Sequence, residues 1–148
     1  MMTYATRGKE KSHAEVFTPA GIVFDMILQD GLRPVLMDVQ KTILDPATGE
    51  GQFPCAELVW KMFYNLDDLD EDKALIALDS LYGIDIQAAS VAKAREHLLL
   101  TISDAYKFFT GKEFTCTDEA RAIVEERIII GDFLKLAKEW TNLQLSLF

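Results

Sequence analysis

Long apolar runs are the first thing missing. No stretch of the 148-residue chain approaches the roughly 18 consecutive apolar residues of a membrane-spanning helix. The opening MMTYATRGKEKSH is polar and lacks the apolar centre of an export signal, so a cytoplasmic setting, with no membrane, is the expectation. Cysteine is scarce as well. Cys55 and Cys116 lie far apart, without a CxxC or a matching set of histidines, which argues against a zinc site or a disulfide framework and leaves two small buried thiols. His13 and His97 are solitary, and His97 falls on the outside of a helical pattern. Positive charge is also short: 15 Lys and Arg stand against 24 Asp and Glu, a net charge of −9. Affinity for a duplex comes largely from neutralising phosphates, so the chain alone is expected to bind DNA weakly or through partners. Only the head, with Arg7, Lys9 and Lys11, and Lys41 further on, offers positive charge, and residues 1–12 read as a flexible polar terminus.

What is present is enough apolar material, 49% of the residues, for one ordinary core. Thr18 followed by Pro19 reads as an N-cap with proline at the first helical position, and Ile22, Val23, Met26 and Ile27 continue at helical spacing until Gly31. After a proline-containing connection, KTILDP reads as a short buried strand. A glycine turn then feeds a helix over about 52–65, with Ala56, Val59, Trp60 and Phe63 on one side. The acidic run DDLDED at 67–72 imitates a calcium loop, but Lys73 stands where the sharp turn requires glycine and the twelfth place lacks a bidentate glutamate. It reads as a solvated loop leading into a short helix around 71–79. SLYGIDI is a second strand. A long helix follows, with Val91, Arg95, Leu98 and Ile102 in register and a stop near Gly111; a helix near 118–126 starts at Thr117, and RIIIGDF is a third strand.

Strands alternating with helices predict an α/β fold with a parallel sheet. Each strand ends in an acid: Asp45, Asp85 and Asp132. Ligands of open α/β sheets sit beyond the carboxyl ends of the strands, so the three acids are expected to line one crevice, whereas each alone would read as a strand-end cap. In ILDPATGEG, Gly49 and Gly51 let a backbone come close to a ligand, and an acid ending the second strand can accept both hydroxyls of a ribose.

These elements resemble the N-terminal half of S-adenosylmethionine-dependent DNA adenine-N6 methyltransferases of the class whose cofactor motifs precede the target-base motif. AEVFTP is similar to the family's opening segment, ILDPATGEGQF to its glycine loop, LYGIDI to its ribose-binding strand and IIIGDF to its adenine-binding strand, over about residues 13–133. The resemblance implies a partial Rossmann-like class I methyltransferase fold of about three parallel strands with flanking helices, forming a cofactor domain over 13–139. It implies S-adenosyl-L-methionine as cofactor. Phe17 and Thr18 would hold its methionine end, and Asp45, Pro46, Ala47, Thr48, Gly49 and Gly51 would meet the amino acid portion and the sulfonium. Asp85 would bind the ribose, Ile86 would pack on the adenine, Asp132 would accept from its exocyclic amine, and Phe133 would cover a face. Ala14 and Thr48 replace a glycine and a cysteine commoner in the family.

One departure is large. The family's Asn/Asp-Pro-Pro-aromatic loop, which accepts from the flipped adenine's amine and stacks on the base, has no counterpart: the four prolines are Pro19, Pro34, Pro46 and Pro54, none adjacent to another. No catalytic residue is therefore assigned, and methyl transfer, as in a bacterial or phage restriction-modification system, would need a second chain or a homodimer mate. In the family's fold a fourth strand pairs with the first, so the KTILDP strand is expected to have an open edge. The tail 140–148 ends in QLSLF, Gln144, Leu145, Ser146, Leu147 and Phe148, which matches the pentapeptide by which bacterial replication and repair proteins dock on the DNA sliding clamp. The same alternation of Leu143, Leu145 and Leu147 also fits a packed β-strand. Two functional readings stand: a cofactor-binding methyltransferase component, or an inactive methyltransferase-like module tethered to the clamp.

Overall fold

Three short strands, β1 (Ile43–Asp45), β2 (Leu81–Asp85) and β3 (Ile128–Ile130), form one parallel sheet in the order β1-β2-β3. The structure is a computed structural model that describes residues 31–146. The expected first helix, with Phe17 and Thr18, lies outside the described residues, as do Leu147 and Phe148. The helices are α1 (Arg33–Met37), α2 (Gln52–Tyr64), α3 (Glu71–Asp79), α4 (Ala88–Thr110), α5 (Thr117–Arg127) and α6 (Phe133–Ser146), with a 3-10 turn at Leu66–Asp68. None of the described helices is long and apolar enough to cross a membrane.

Local chemistry sets the boundaries. Asp70 caps α3 by accepting from the Lys73 amide at 2.8 Å, and Glu71 and Asp72 follow in the first turn, where negative charge suits the helix dipole. The acidic run is thus the lead-in to a helix. α4 ends at Gly111, whose φ of 72° is left-handed and whose amide closes on the Lys107 carbonyl at 2.8 Å.

The register pairs Ile43 with Leu81, Asp45 with Gly83, Gly83 with Ile128 and Asp85 with Ile130. Side chains alternate across a strand, so Ile43, Leu81, Gly83 and Ile128 share one face. That face meets the core: Leu58 and Met62 of α2, Leu78 of α3, Val91, Leu98 and Ile102 of α4, and Val124 of α5. Leu44, Tyr82, Ile84 and Ile129 occupy the other face, where Leu44 is 47% and Ile129 38% exposed. β1 is an edge strand, as expected; among the described residues no strand pairs with its outer side.

Three sequence expectations need correction. The connection before β1 contains a helix, α1, five residues long with proline in its first turn, too short to show periodicity. On α2 the deeply buried positions are Pro54, Glu57, Leu58, Lys61 and Met62, not the Ala56, Val59, Trp60 and Phe63 side. Ala56 and Trp60 pack with Phe53 and Tyr64 against Leu36 of α1, and Phe63 is exposed. Two charged residues in the buried stripe made the opposite side look more apolar. Finally, the tail is helical through Ser146 and does not return as a strand. The spacing of Phe133, Leu136, Trp140 and Leu143 is three, four and three, a helical period that overrides the short alternation that follows.

Candidate functional site

Parallel pairing sends all three strand ends to one rim, and the register steps them. Asp45 lies level with Gly83, so Asp85 sits two residues further out; Ile130 lies level with Asp85, so Asp132 sits two residues beyond that. At about 3.3 Å per residue the step from Asp45 to Asp85 is about 7 Å, whereas β3 itself ends at Ile130 and Asp132 follows in the link to α6.

The loop leaving β1 folds back over β2. The Thr48 amide donates to the Ile84 carbonyl at 3.0 Å, and the Gly51 amide to the Thr48 carbonyl at 2.9 Å. The Gly49 amide donates to Asp85 Oδ2 at 2.9 Å, while the Gln87 amide donates to Asp85 Oδ1 at 2.8 Å. Two N–H groups thus fix the carboxylate of Asp85, and each oxygen keeps a lone pair for a further donor. The β3 exit is tied to the same point, because the Gly131 amide donates to the Asp85 carbonyl at 2.9 Å.

The glycines serve the loop before any ligand. Gly49 and Gly51 have φ of 54° and 90°, which favour glycine, and a Cβ at Gly51 would stand 3.1 Å from the Ala94 Cα of α4. Thr48 is 4% exposed, and its hydroxyl fills the space left by Gly83, where a Cβ would meet Thr48 Oγ1 at 2.7 Å.

Asp45 has two unlike oxygens. Oδ1 accepts from the Ala47 amide at 3.1 Å; Oδ2 is buried without a hydrogen-bond partner among the described residues, as is Thr48 Oγ1. Burial raises the Asp45 carboxyl above the usual carboxylate range; the Ala47 amide opposes this and the nearby Asp85 charge adds to it. Pro46 and Ala47 are exposed at the top of the loop, and Ile86, just past β2, is 69% exposed. Asp132 lies at the same rim but is engaged: its Oδ1 accepts from the Leu134 and Lys135 amides at 3.1 and 3.4 Å, starting α6. Phe133, half-buried, is the first residue of that helix. The structure therefore joins Asp45, Thr48, Gly49, Gly51 and Asp85 closely, and sets Ile86, Asp132 and Phe133 along the rim.

Lys93, Glu57 and Lys61 go unmarked in the sequence reading, and His97 is read there only as a surface residue. Lys93 Nζ stands 3.2 Å from Glu50 Oε1, and His97 donates from Nδ1 to the Glu50 carbonyl at 2.7 Å. His97 is exposed as expected, yet it holds the glycine loop; its i, i+4 spacing from Lys93 was the available signal. Beneath the loop, Glu57 is 4% exposed and Lys61 fully buried. Lys61 Nζ donates to the carbonyls of Asp38 at 2.9 Å and Lys41 at 2.6 Å, securing the approach to β1. Burial pushes its ammonium down to about 8, against the charges of Asp38 and Glu57. Burial, with the Asp45 charge, pushes Glu57 up to about 8, and Lys61 opposes that shift. Cys55 is half-buried, and its thiol is pushed up to about 11, chiefly by burial; Cys116 is half-buried as well.

Among the described residues no group of three or more His, Cys, Asp or Glu side chains is placed to hold a metal ion. What the rim shows is the oriented carboxylate of Asp85 and the open apolar side chain of Ile86, beside the buried, orphaned Oδ2 of Asp45. Comparison of the chain with family models, characterised proteins and solved structures gives no match.

Proposed function

We propose that this chain binds S-adenosyl-L-methionine at the rim and acts as the cofactor-binding part of a DNA adenine-N6 methyltransferase, with a partner providing the target-base loop. The single observation that carries the reading is the closure of the loop after Asp45 onto Asp85, which fixes one carboxylate with two N–H groups beside the orphaned Asp45 Oδ2. Asp85 would take the ribose hydroxyls on its remaining lone pairs. Asp45 and the backbone from Pro46 to Gly51 would face the methionine portion, where a cation is favoured next to carboxylate. Ile86 and Phe133 would border the adenine, and Asp132 would meet its amine through Oδ2, since Oδ1 caps α6. The bound cofactor would supply the methyl group of its sulfonium. The acidic charge suits a division in which the DNA-facing surface belongs to the partner.

Calorimetric titration of the isolated chain tests this. Saturable one-site binding of S-adenosylmethionine is expected, and no heat at millimolar ligand would refute it.

A second reading rests on the tail. Thr141 and Asn142, just before the pentapeptide on α6, are exposed, which supports docking of QLSLF on a bacterial sliding clamp, with or without methyl transfer. Deleting residues 144–148 should then abolish clamp binding; unchanged binding would remove this reading.

A further inference from the structure

Glu50 stands between two glycines. Gly49 and Gly51 have φ of 54° and 90°, a region that glycine enters freely, so the local sequence leaves the loop after β1 many paths and its course over β2 must be fixed from elsewhere. α4 supplies a grip. Lys93 and His97, one turn apart on the same face of that helix, both reach Glu50: Lys93 Nζ stands 3.2 Å from Oε1, and His97 Nδ1 donates to the carbonyl at 2.7 Å. Beside them, the Ala94 Cα would lie 3.1 Å from a Cβ at Gly51, so helix and loop are in close contact. The Glu50 side chain is charged yet only 12% exposed, a placement that calls for a counter-charge. One residue before the gripped point, the Gly49 amide reaches Asp85 Oδ2 at 2.9 Å.

We propose that Lys93 and His97 are positioning residues of the rim: by gripping Glu50 from α4 they keep the Gly49 amide on Asp85, and so set the affinity for a ribose-bearing cofactor that they do not touch. This rests on the reading of the rim as an S-adenosylmethionine site.

The effect is local. The Lys93 side chain is 57% exposed and His97 is exposed as well, and pairs made by exposed side chains add little to global stability. A glycine loop released from α4 can open without unfolding the core. Asp85 then keeps the Gln87 amide on Oδ1, at 2.8 Å, but loses the Gly49 amide from Oδ2. The carboxylate is no longer fixed at both oxygens. The share of molecules ready to bind falls, and the apparent affinity falls in proportion.

The test is calorimetric titration of the full chain with S-adenosylmethionine, for the native protein, Lys93→Met, Lys93→Arg, His97→Ala and His97→Asn, with urea unfolding and hydrogen exchange of the Gly49 amide measured on each. Lys93→Met and His97→Ala should each weaken binding by roughly three- to tenfold and speed Gly49 exchange by a similar factor, with the urea midpoint nearly unchanged. Lys93→Arg keeps the charge, and the side-chain amide of His97→Asn can still donate to the Glu50 carbonyl, so both should restore most of the affinity. Glu50→Gln removes the charge that Lys93 meets, and adding Lys93→Met to it should cost little more. Should Glu50→Gln fail to fold, the exposed variants of Lys93 and His97 still decide. Unchanged affinity in Lys93→Met and His97→Ala, no rescue by the conservative variants, or a loss of affinity that only follows a lowered urea midpoint would overturn the proposal while leaving the cofactor site intact. No binding by the native chain would overturn the site itself, and this proposal with it.

Discussion

The two faces of the sheet share three strands and little else. On one face Leu81, Gly83 and Ile128 are buried beneath α2, α4 and α5; on the other, Leu44 and Ile129 stand half open, and Tyr82 is partly covered by the Arg127 guanidinium, 4.9 Å above its ring. Parallel sheets are ordinarily buried on both faces. Among the described residues, the covered face therefore carries the stability and sets the rim, whereas the open face and the unpaired edge of β1 are where added structure would count. The rim depends on the covered side: Thr48 packs against Gly83, Gly51 against Ala94, and the loop is held from α4 by Lys93 and His97.

Substitutions on the two faces should separate sharply. Leu98→Ala removes a fully buried side chain from the covered face and should cost about 3–4 kcal/mol in urea unfolding. Gly83→Val, also on the covered face, forces carbon toward Thr48 Oγ1 and Ile128 Cδ1, which would lie 2.7 and 3.1 Å from a Cβ. It should cost about 2–3 kcal/mol and displace the loop, weakening cofactor binding as well.

The buried acid on that side predicts an unusual pH profile. A carboxyl raised from 4.5 to about 8 binds a proton in the folded state that the unfolded state has already lost, so stability falls as pH rises from about 4.5 through 8. Lys61, lowered from 10.5 to about 8, acts in the opposite sense at higher pH: the unfolded state holds the extra proton and stability recovers between about 8 and 10.5. A minimum near pH 8 is expected. Side-chain relaxation takes up part of the roughly 1.4 kcal/mol per unit of displacement, leaving a drop of about 2 kcal/mol between pH 5 and 8. Glu57→Gln should flatten that limb, as urea midpoints across pH would reveal. The smallest effect belongs to the bare face, where Leu44→Thr and Ile129→Thr should each change stability by under about 0.5 kcal/mol. A large loss there would mean that this face is covered in the native protein.

Much of this was legible in the sequence. Periodicity located β1, β2, β3 and the helices α2 to α5, because each strand is a short apolar run, α2 follows Gly51, α3 has the Asp70 cap and α4 stops at Gly111; α5 has no side-chain cap, and Thr117, expected to start it, is its first helical residue. The acids at the strand ends were visible because parallel strands must all point to one rim. Less legible was whatever depends on tertiary packing. Glu57 and Lys61 are charged, and charge in a helix is normally read as the solvent side. The Glu50 clamp joins residues distant in sequence through a backbone carbonyl that no motif records. The cap formed by Asp132 was hidden because an acid starting a helix and an acid awaiting a ligand look alike in sequence.

The most direct test of the shared rim is a titration of isotopically labelled protein with S-adenosylmethionine, followed through backbone amide resonances. Asp45, Asp85 and Asp132 gathered around one ligand predict saturable shifts concentrated at Gly49, Gly51, Ile86, Gln87 and Gly131, with little change at Leu44 or Ile129. Shifts confined to the bare face, or none at millimolar ligand, would contradict it.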